Sequence, residues 1–137
     1  MGRIIAIDFG MKRVGIASTD PLQIIASPLT TVPNKEAVDF IFNFCSKEDV
    51  DTIVVGQPFR MSGELSDVEK EILKFIQELN KKLPNMPIKR CDERYTSKMA
   101  MQALIDSGVK KKKRRDKSLL DSTSASLILQ DYLQNVR

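Results

Sequence analysis

The run Ile4-Ile5-Ala6-Ile7, ending in Asp8, constrains the fold of this chain more than any other segment. Consecutive apolar residues read as a strand buried on both faces, so the sheet that holds it must be covered above and below. A carboxylate at the end of such a strand is costly unless something cationic meets it. Gly10 and Gly15 follow, with Lys12 and Arg13 between them. The glycines permit a tight turn and the close approach of a ligand or neighbouring strand. An anion held at the edge of a core, beside two basic residues, points to a metal ion or a phosphate chain.

The order of apolar runs and breakers extends this reading. Strands are expected at about Arg3 to Asp8, Arg13 to Ser18 and Ile24 to Thr31, joined by short turns at Phe9-Gly10 and Asp20-Pro21. Short connections make these three an antiparallel meander. Pro33-Asn34 opens a helix with Asn34 as its cap and Val38, Ile41, Phe42 and Cys45 on its apolar stripe. Thr52 to Gly56 forms a fourth strand. A loop from Gln57 to Glu64, carrying Pro58 and Gly63, leads to a capping box at Ser66-Asp67-Val68-Glu69 and a long helix ended by Pro84 and Pro87. Ile88 to Cys91 is the last strand and closes at Asp92-Glu93. Thr96 caps a helix over about Ser97 to Ser107, and Ser118 starts a final helix reaching about Leu133. The order βββαβαβαα predicts an α/β fold: a mixed five-stranded sheet, meander plus parallel strands, with helices on both faces. No repeat or linker interrupts it, and residues 1–137 are read as a single domain.

Composition narrows the chemistry. The 137 residues are 42% hydrophobic and 29% charged, in the range of a globular protein, and hold no histidine. That absence removes Ser-His-Asp and Cys-His triads, His-ligated zinc and any His general base. Two cysteines, Cys45 and Cys91, are too few for a disulfide framework or a Cys-rich metal site, and Cys91 reads as packing. Catalysis, if present, falls to carboxylates with a hard, oxygen-seeking cation such as Mg2+ or Mn2+. No apolar run is long enough to span a bilayer. No signal-peptide pattern precedes the first strand, so a cytoplasmic protein without membrane partners is expected.

Net charge is +4 but local. Lys110-Lys111-Lys112-Lys113-Arg114-Arg115 is one basic run; taking its 6 charges from the 22 basic residues leaves 16 against 18 acidic, a net of −2. Such a run is either a solvated loop or a patch for a polyanion. It precedes the helix that carries Asp121, which favours nucleic-acid contact near the site. It holds no aromatic residue, so it is expected to meet backbone phosphates rather than stack on bases.

Acids fall at the ends of elements: Asp8 on the first strand, Asp92 and Glu93 on the last, Asp121 in the first turn of the final helix. Asp121 leads the face Ala125, Ile128, Tyr132, which otherwise packs on the sheet. An Asp there is also what the helix dipole favours by ~0.3–1 kcal/mol. Asp92 and Glu93 cannot both point one way in a regular strand; Glu93, further out, is the favoured ligand and Asp92 the alternative. Carboxylates sharing a cavity repel one another, and divalent cations relieve that. Two such ions ~4 Å apart activate water and stabilise the leaving oxygen of a phosphodiester. Arg94 either holds a phosphate or pairs with Asp92.

The segments Ala6 to Ala17, Val54-Val55-Gly56-Gln57-Pro58, Asp92-Glu93-Arg94-Tyr95-Thr96-Ser97 and Leu120 to Ala125 together resemble the bacterial YqgF family. Its members are described as candidate Holliday junction resolvases and as pre-16S rRNA nucleases. The resemblance spans essentially the whole chain, with four motifs in order. It implies an RNase H-like fold and a metal-dependent nuclease site. Asp8, Glu93 (or Asp92) and Asp121 would be its catalytic acids, and Asp8, Asp92, Glu93 and Asp121 its metal-ligand candidates, around two ions. Lys12, Arg13, Arg60, Arg94 and the basic run would contact nucleic acid, and Gly10, Gly15, Gly56, Pro58 and Gly63 would shape the loops. The implied role is trimming the 5′ end of the small-subunit rRNA precursor, with a ribosomal subunit precursor as partner. Cleavage of branched DNA junctions stands second. A monomer would suit an RNA end and a homodimer a two-fold junction. Gln57-Pro58-Phe59-Arg60 departs from the Leu-Pro-Leu-Asn common in relatives, and the basic run replaces a glycine-containing loop.

Two other classes share some of these features. Actin- and sugar-kinase-like ATP-binding folds use the same meander but need two such domains. A non-catalytic RNA- or ribosome-binding module would carry the acids without using them.

Overall fold

The computed structural model describes residues 2–58, 67–92 and 117–136. Strands β1 (Arg3–Asp8), β2 (Arg13–Thr19) and β3 (Ala26–Pro33) are followed by a 3-10 turn (Asn34–Glu36) and helix α1 (Ala37–Lys47). Then come β4 (Val50–Gln57), α2 (Glu69–Lys82), β5 (Ile88–Asp92) and α3 (Lys117–Asp131), which ends in a wider π turn over Tyr132–Val136.

The strands form one sheet in the order β3-β2-β1-β4-β5. β1 pairs antiparallel with β2 and β2 with β3, whereas β1–β4 and β4–β5 are parallel. The carboxyl ends of β1, β4 and β5 therefore share one edge with the start of β2. Side chains alternate along each strand, which divides the core in two. Ile5, Ile7, Val14, Ile16, Ile53 and Val55 face α1 and α2, meeting Ile41, Ile72, Phe75 and Leu79. Ile4, Ala6, Ala17, Val54 and Cys91 face α3, meeting Ala125, Ile128, Leu129 and Tyr132. This is the mixed sheet with helices on both faces that the sequence predicts. No helix among the described residues is long and apolar enough to cross a membrane.

Several local expectations are corrected. β3 starts at Ala26 rather than Ile24, because the Asp20 carboxylate accepts from the Ile24 and Ile25 N–H groups, each at 2.8 Å, and so holds them in a turn. Gln23, at φ 59°, makes that turn and donates through Nε2 to the Gly2 carbonyl at 2.7 Å. Asn34 does not cap a helix; α1 starts three residues later, and the Asn34 amide donates instead to the Gly10 carbonyl at 2.7 Å. The α1 stripe also differs. Ile41 is fully buried while Phe42 is exposed, and Phe40 and Phe44 pack on the core in its place. Val68 stands at the N-cap of α2 without a side-chain cap and Glu69 binds an arginine on β5, while Ser66 of the expected capping box lies outside the described residues. The last helix starts at Lys117, so Asp121 lies one turn in and not in the first turn. The helix expected over Ser97 to Ser107, with its Thr96 cap, lies outside the described residues.

Candidate active site at the carboxyl edge of the sheet

Asp8 ends β1 half-buried, on the same strand face as Ile4 and Ala6, which pack against α3. Across the ladder it stands opposite Gly15 of β2. Gly15 is the point on which α3 rests: a Cβ there would overlap the Asp121 carbonyl oxygen and approach the Ser122 nitrogen. The missing side chain therefore seats the start of α3 over the strand next to Asp8. Arg13 shares the Gly15 face of β2, and its Nε donates to Asp121 Oδ2 at 3.2 Å. Residues 108 positions apart in the chain are thus in direct contact. Asp8, Arg13 and Asp121 surround one glycine.

The turn after Asp8 is held from three sides. The Phe9 ring packs on Phe75 of α2 with centroids 5.3 Å apart. Asn34 binds the Gly10 carbonyl by its side chain and the Lys12 carbonyl by its N–H at 2.9 Å. A Cβ on Gly10 would overlap the Arg13 carbonyl oxygen. Lys12 is exposed beside the site.

Asp92 is not brought to this group. It pairs with Gln57 at the end of β5, two strands from β1, or about 9–10 Å at ordinary strand spacing. Its neighbour Cys91 is buried toward α3, with Sγ 3.8 Å from the Ile128 carbonyl, so the pleat turns Asp92 to the opposite face. Glu93, Arg60, Arg94, Gly63 and the run Lys110 to Arg115 lie outside the described residues. Among the described residues no three His, Cys, Asp or Glu groups form a cation site.

A clamp beside the site escaped the sequence reading. Arg90 of β5 forks onto Glu69, with Nη1 2.8 Å from Oε2 and Nη2 2.7 Å from Oε1. The same guanidinium donates to the Val55 carbonyl at 3.2 Å and the Gly56 carbonyl at 3.0 Å, and Gln57 adds a bond to Glu69 at 3.3 Å. Gly56 and Pro58 therefore lead out of a tied strand end, and α2 begins from a tied helix end. The Arg90 hydrogen bonds hold the Glu69 carboxyl below the usual carboxylate range, against the opposing effect of burial. The only sequence signal was an Arg on a strand and a Glu that also fitted a capping box. Cysteine chemistry is remote: burial pushes the Cys45 thiol up, away from thiolate.

A family model described as "RuvX: Holliday junction resolvase" matches residues 2–135. This chain belongs to the RuvX family. It is the family expected from the motifs as YqgF, and the chain is accordingly a nuclease, a hydrolase of phosphodiester bonds. A Phocaeicola vulgatus relative named a candidate pre-16S rRNA nuclease is 49% identical over 135 residues, covering 98% of this chain and 97% of that protein. One from Christiangramia forsetii, carrying the same name, is 51% identical over 133 residues, 97% of this chain and 98% of that one. Among solved structures, Thermus thermophilus RuvC in complex with a Holliday junction substrate has a TM-score of 0.56 at 17% identity, covering 96% of this chain and 94% of that chain. That likeness establishes the RNase H-like fold of this RuvX-family chain.

Proposed function

We propose that this RuvX-family nuclease hydrolyses RNA at the 5′ end of the 16S rRNA precursor, with Asp8 and Asp121 as its catalytic acids. The observation that supports the reading is the contact of the Asp121 backbone with Gly15, the ladder partner of Asp8, at the carboxyl edge of the sheet. The substrate follows from full-length relatives about half identical that carry the pre-16S rRNA nuclease name.

The donors suit a divalent cation. They are all carboxylate oxygens, and Asp121 already balances its charge against a cationic side chain. Asp8 and Asp121 would hold Mg2+ or Mn2+, with Glu93, the acid that the family resemblance assigns, as third ligand. Bound there, two such ions supply an activated water and a counter-charge for the leaving oxygen. The protein's own part is positioning. The Phe9 and Asn34 contacts fix the turn after Asp8, the Arg90 clamp fixes the end of β4, and exposed Lys12 would draw the phosphate backbone to the edge, with the basic run adding positive charge to the chain. The single-domain reading of residues 1–137, a cytoplasmic location and action as a monomer on a ribosomal precursor belong to the same proposal.

The test offers precursor RNA ends and four-way DNA junctions to the purified chain with Mg2+, with Mn2+ and with chelator. Cleavage of RNA that needs the cation, and that falls at least a hundredfold in both Asp8→Asn and Asp121→Asn, is expected. Activity surviving chelation or both substitutions would refute the assignment. A second reading, junction cleavage by a homodimer, is favoured by the family description. It predicts cutting of the four-way junction and none of the RNA.

A further inference from the structure

The Arg13–Asp121 contact raises a question of charge. Asp121 is half-buried, and its carboxylate accepts from Arg13 Nε at 3.2 Å. Among the described residues the two Nη groups of Arg13 make no hydrogen bond. The Arg13 backbone is pinned, since it pairs with Pro33 in the ladder and its carbonyl lies against Gly10. Only the long side chain is left to move. A guanidinium fork suits a carboxylate and a phosphate equally well, but cannot serve both at once with the same edge. A carboxylate bonded to a guanidinium is likewise a poorer ligand for a cation.

We infer that Arg13 is a placeholder for the cation: it balances Asp121 until a divalent cation binds, then yields that carboxylate and holds a phosphate of the nucleic acid. The inference rests on the reading of Asp8 and Asp121 as cation ligands. Carboxylates outnumber the guanidinium among the groups assigned to the site, which draws in a cation. A divalent cation there adds two positive charges and releases the guanidinium, which draws in a phosphate. Cation and nucleic acid therefore reinforce each other, and by linkage each raises the other's affinity by one common factor.

The experiment is a Mn2+ titration of the full chain, followed by electron paramagnetic resonance, with and without a phosphorothioate-linked RNA dodecamer. Wild type, Arg13→Gln, Arg13→Lys and Lys12→Gln are compared, each checked for folding by circular dichroism. Without RNA, Arg13→Gln should bind Mn2+ about three- to fivefold more tightly than wild type, the size of a half-exposed ion pair. Lys12→Gln, which removes a charge one residue away but no partner of Asp121, should change less. RNA should tighten Mn2+ binding more in wild type than in Arg13→Gln. Arg13→Lys, whose compact ammonium has no planar fork, should fall between the two, and carries the test if Arg13→Gln does not fold. Mn2+ binding no tighter in Arg13→Gln (or, failing that, Arg13→Lys) than in Lys12→Gln would overturn the inference while leaving the active-site reading intact. Folded wild type that binds no Mn2+ would overturn both.

Discussion

At the scale of residues, Gly15 decides more than any acid. Asp8 was legible because a carboxylate after four apolar residues is chemically conspicuous. Asp121 was legible because it leads a face whose next members, Ala125, Ile128 and Tyr132, are buried. Gly15 was read as a place of close approach, but what approaches it is the Asp121 backbone, from the far end of the chain. Adding a methyl group there forces α3 off the strand. Gly15→Ala is expected to lower stability by about 1–3 kcal/mol, as overpacking does. It should also reduce cleavage beyond what the unfolded fraction explains, because Asp121 moves with its helix. Denaturant unfolding and single-turnover cleavage measure the two effects, and wild-type values for both would contradict this account. Arg13 was expected to meet phosphate; the structure finds it on a carboxylate, because no spacing rule relates residues separated by most of the chain.

At the scale of elements, strand types and order were legible, while the devices that join them were not. Alternation and apolar runs place β1, β2 and β4 to within two residues. The cap signal failed at α1 because Asn34 found a stronger partner than its own helix terminus, and Glu69 at the start of α2 likewise turns to another element. The Glu69–Arg90 clamp joins α2, β4 and β5, and its acid is held ionised below the ordinary Glu value of 4.5. Since the folded protein binds that proton less readily than the unfolded chain, the clamp's contribution is complete above about pH 4.5 and is lost as pH falls through the lowered folded value. Glu69→Gln is expected to cost about 1.5–3 kcal/mol at neutral pH, typical of hydrogen bonds to a charged group. The difference from wild type should shrink as the medium is acidified. Unfolding free energies measured from pH 7 down to pH 3 test the sign, and a gap that widens on acidification would refute it.

At the scale of the molecule, charge is segregated: a net of +4 arises from a chain that is net acidic outside residues 110–115. If all six of those side chains meet phosphates, the logarithm of RNA affinity should fall with the logarithm of salt concentration about 4 units more steeply than in a variant with the run replaced by glutamine. Equal slopes would show that the run is a solvated loop. The sequence alone determined the class of fold, because periodicity and the order of elements are local properties written in every window of the chain. With no histidine present, it also removed His-based triads and His-ligated zinc, and so pointed to carboxylates. Only the tertiary structure decided which charged groups meet. The burial of Cys91 against α3, the α3 backbone on Gly15 and the Arg13 guanidinium on Asp121 depend on how elements stack. Stacking is set by packing the two cores on either side of the sheet, a global constraint that no local stretch of residues contains.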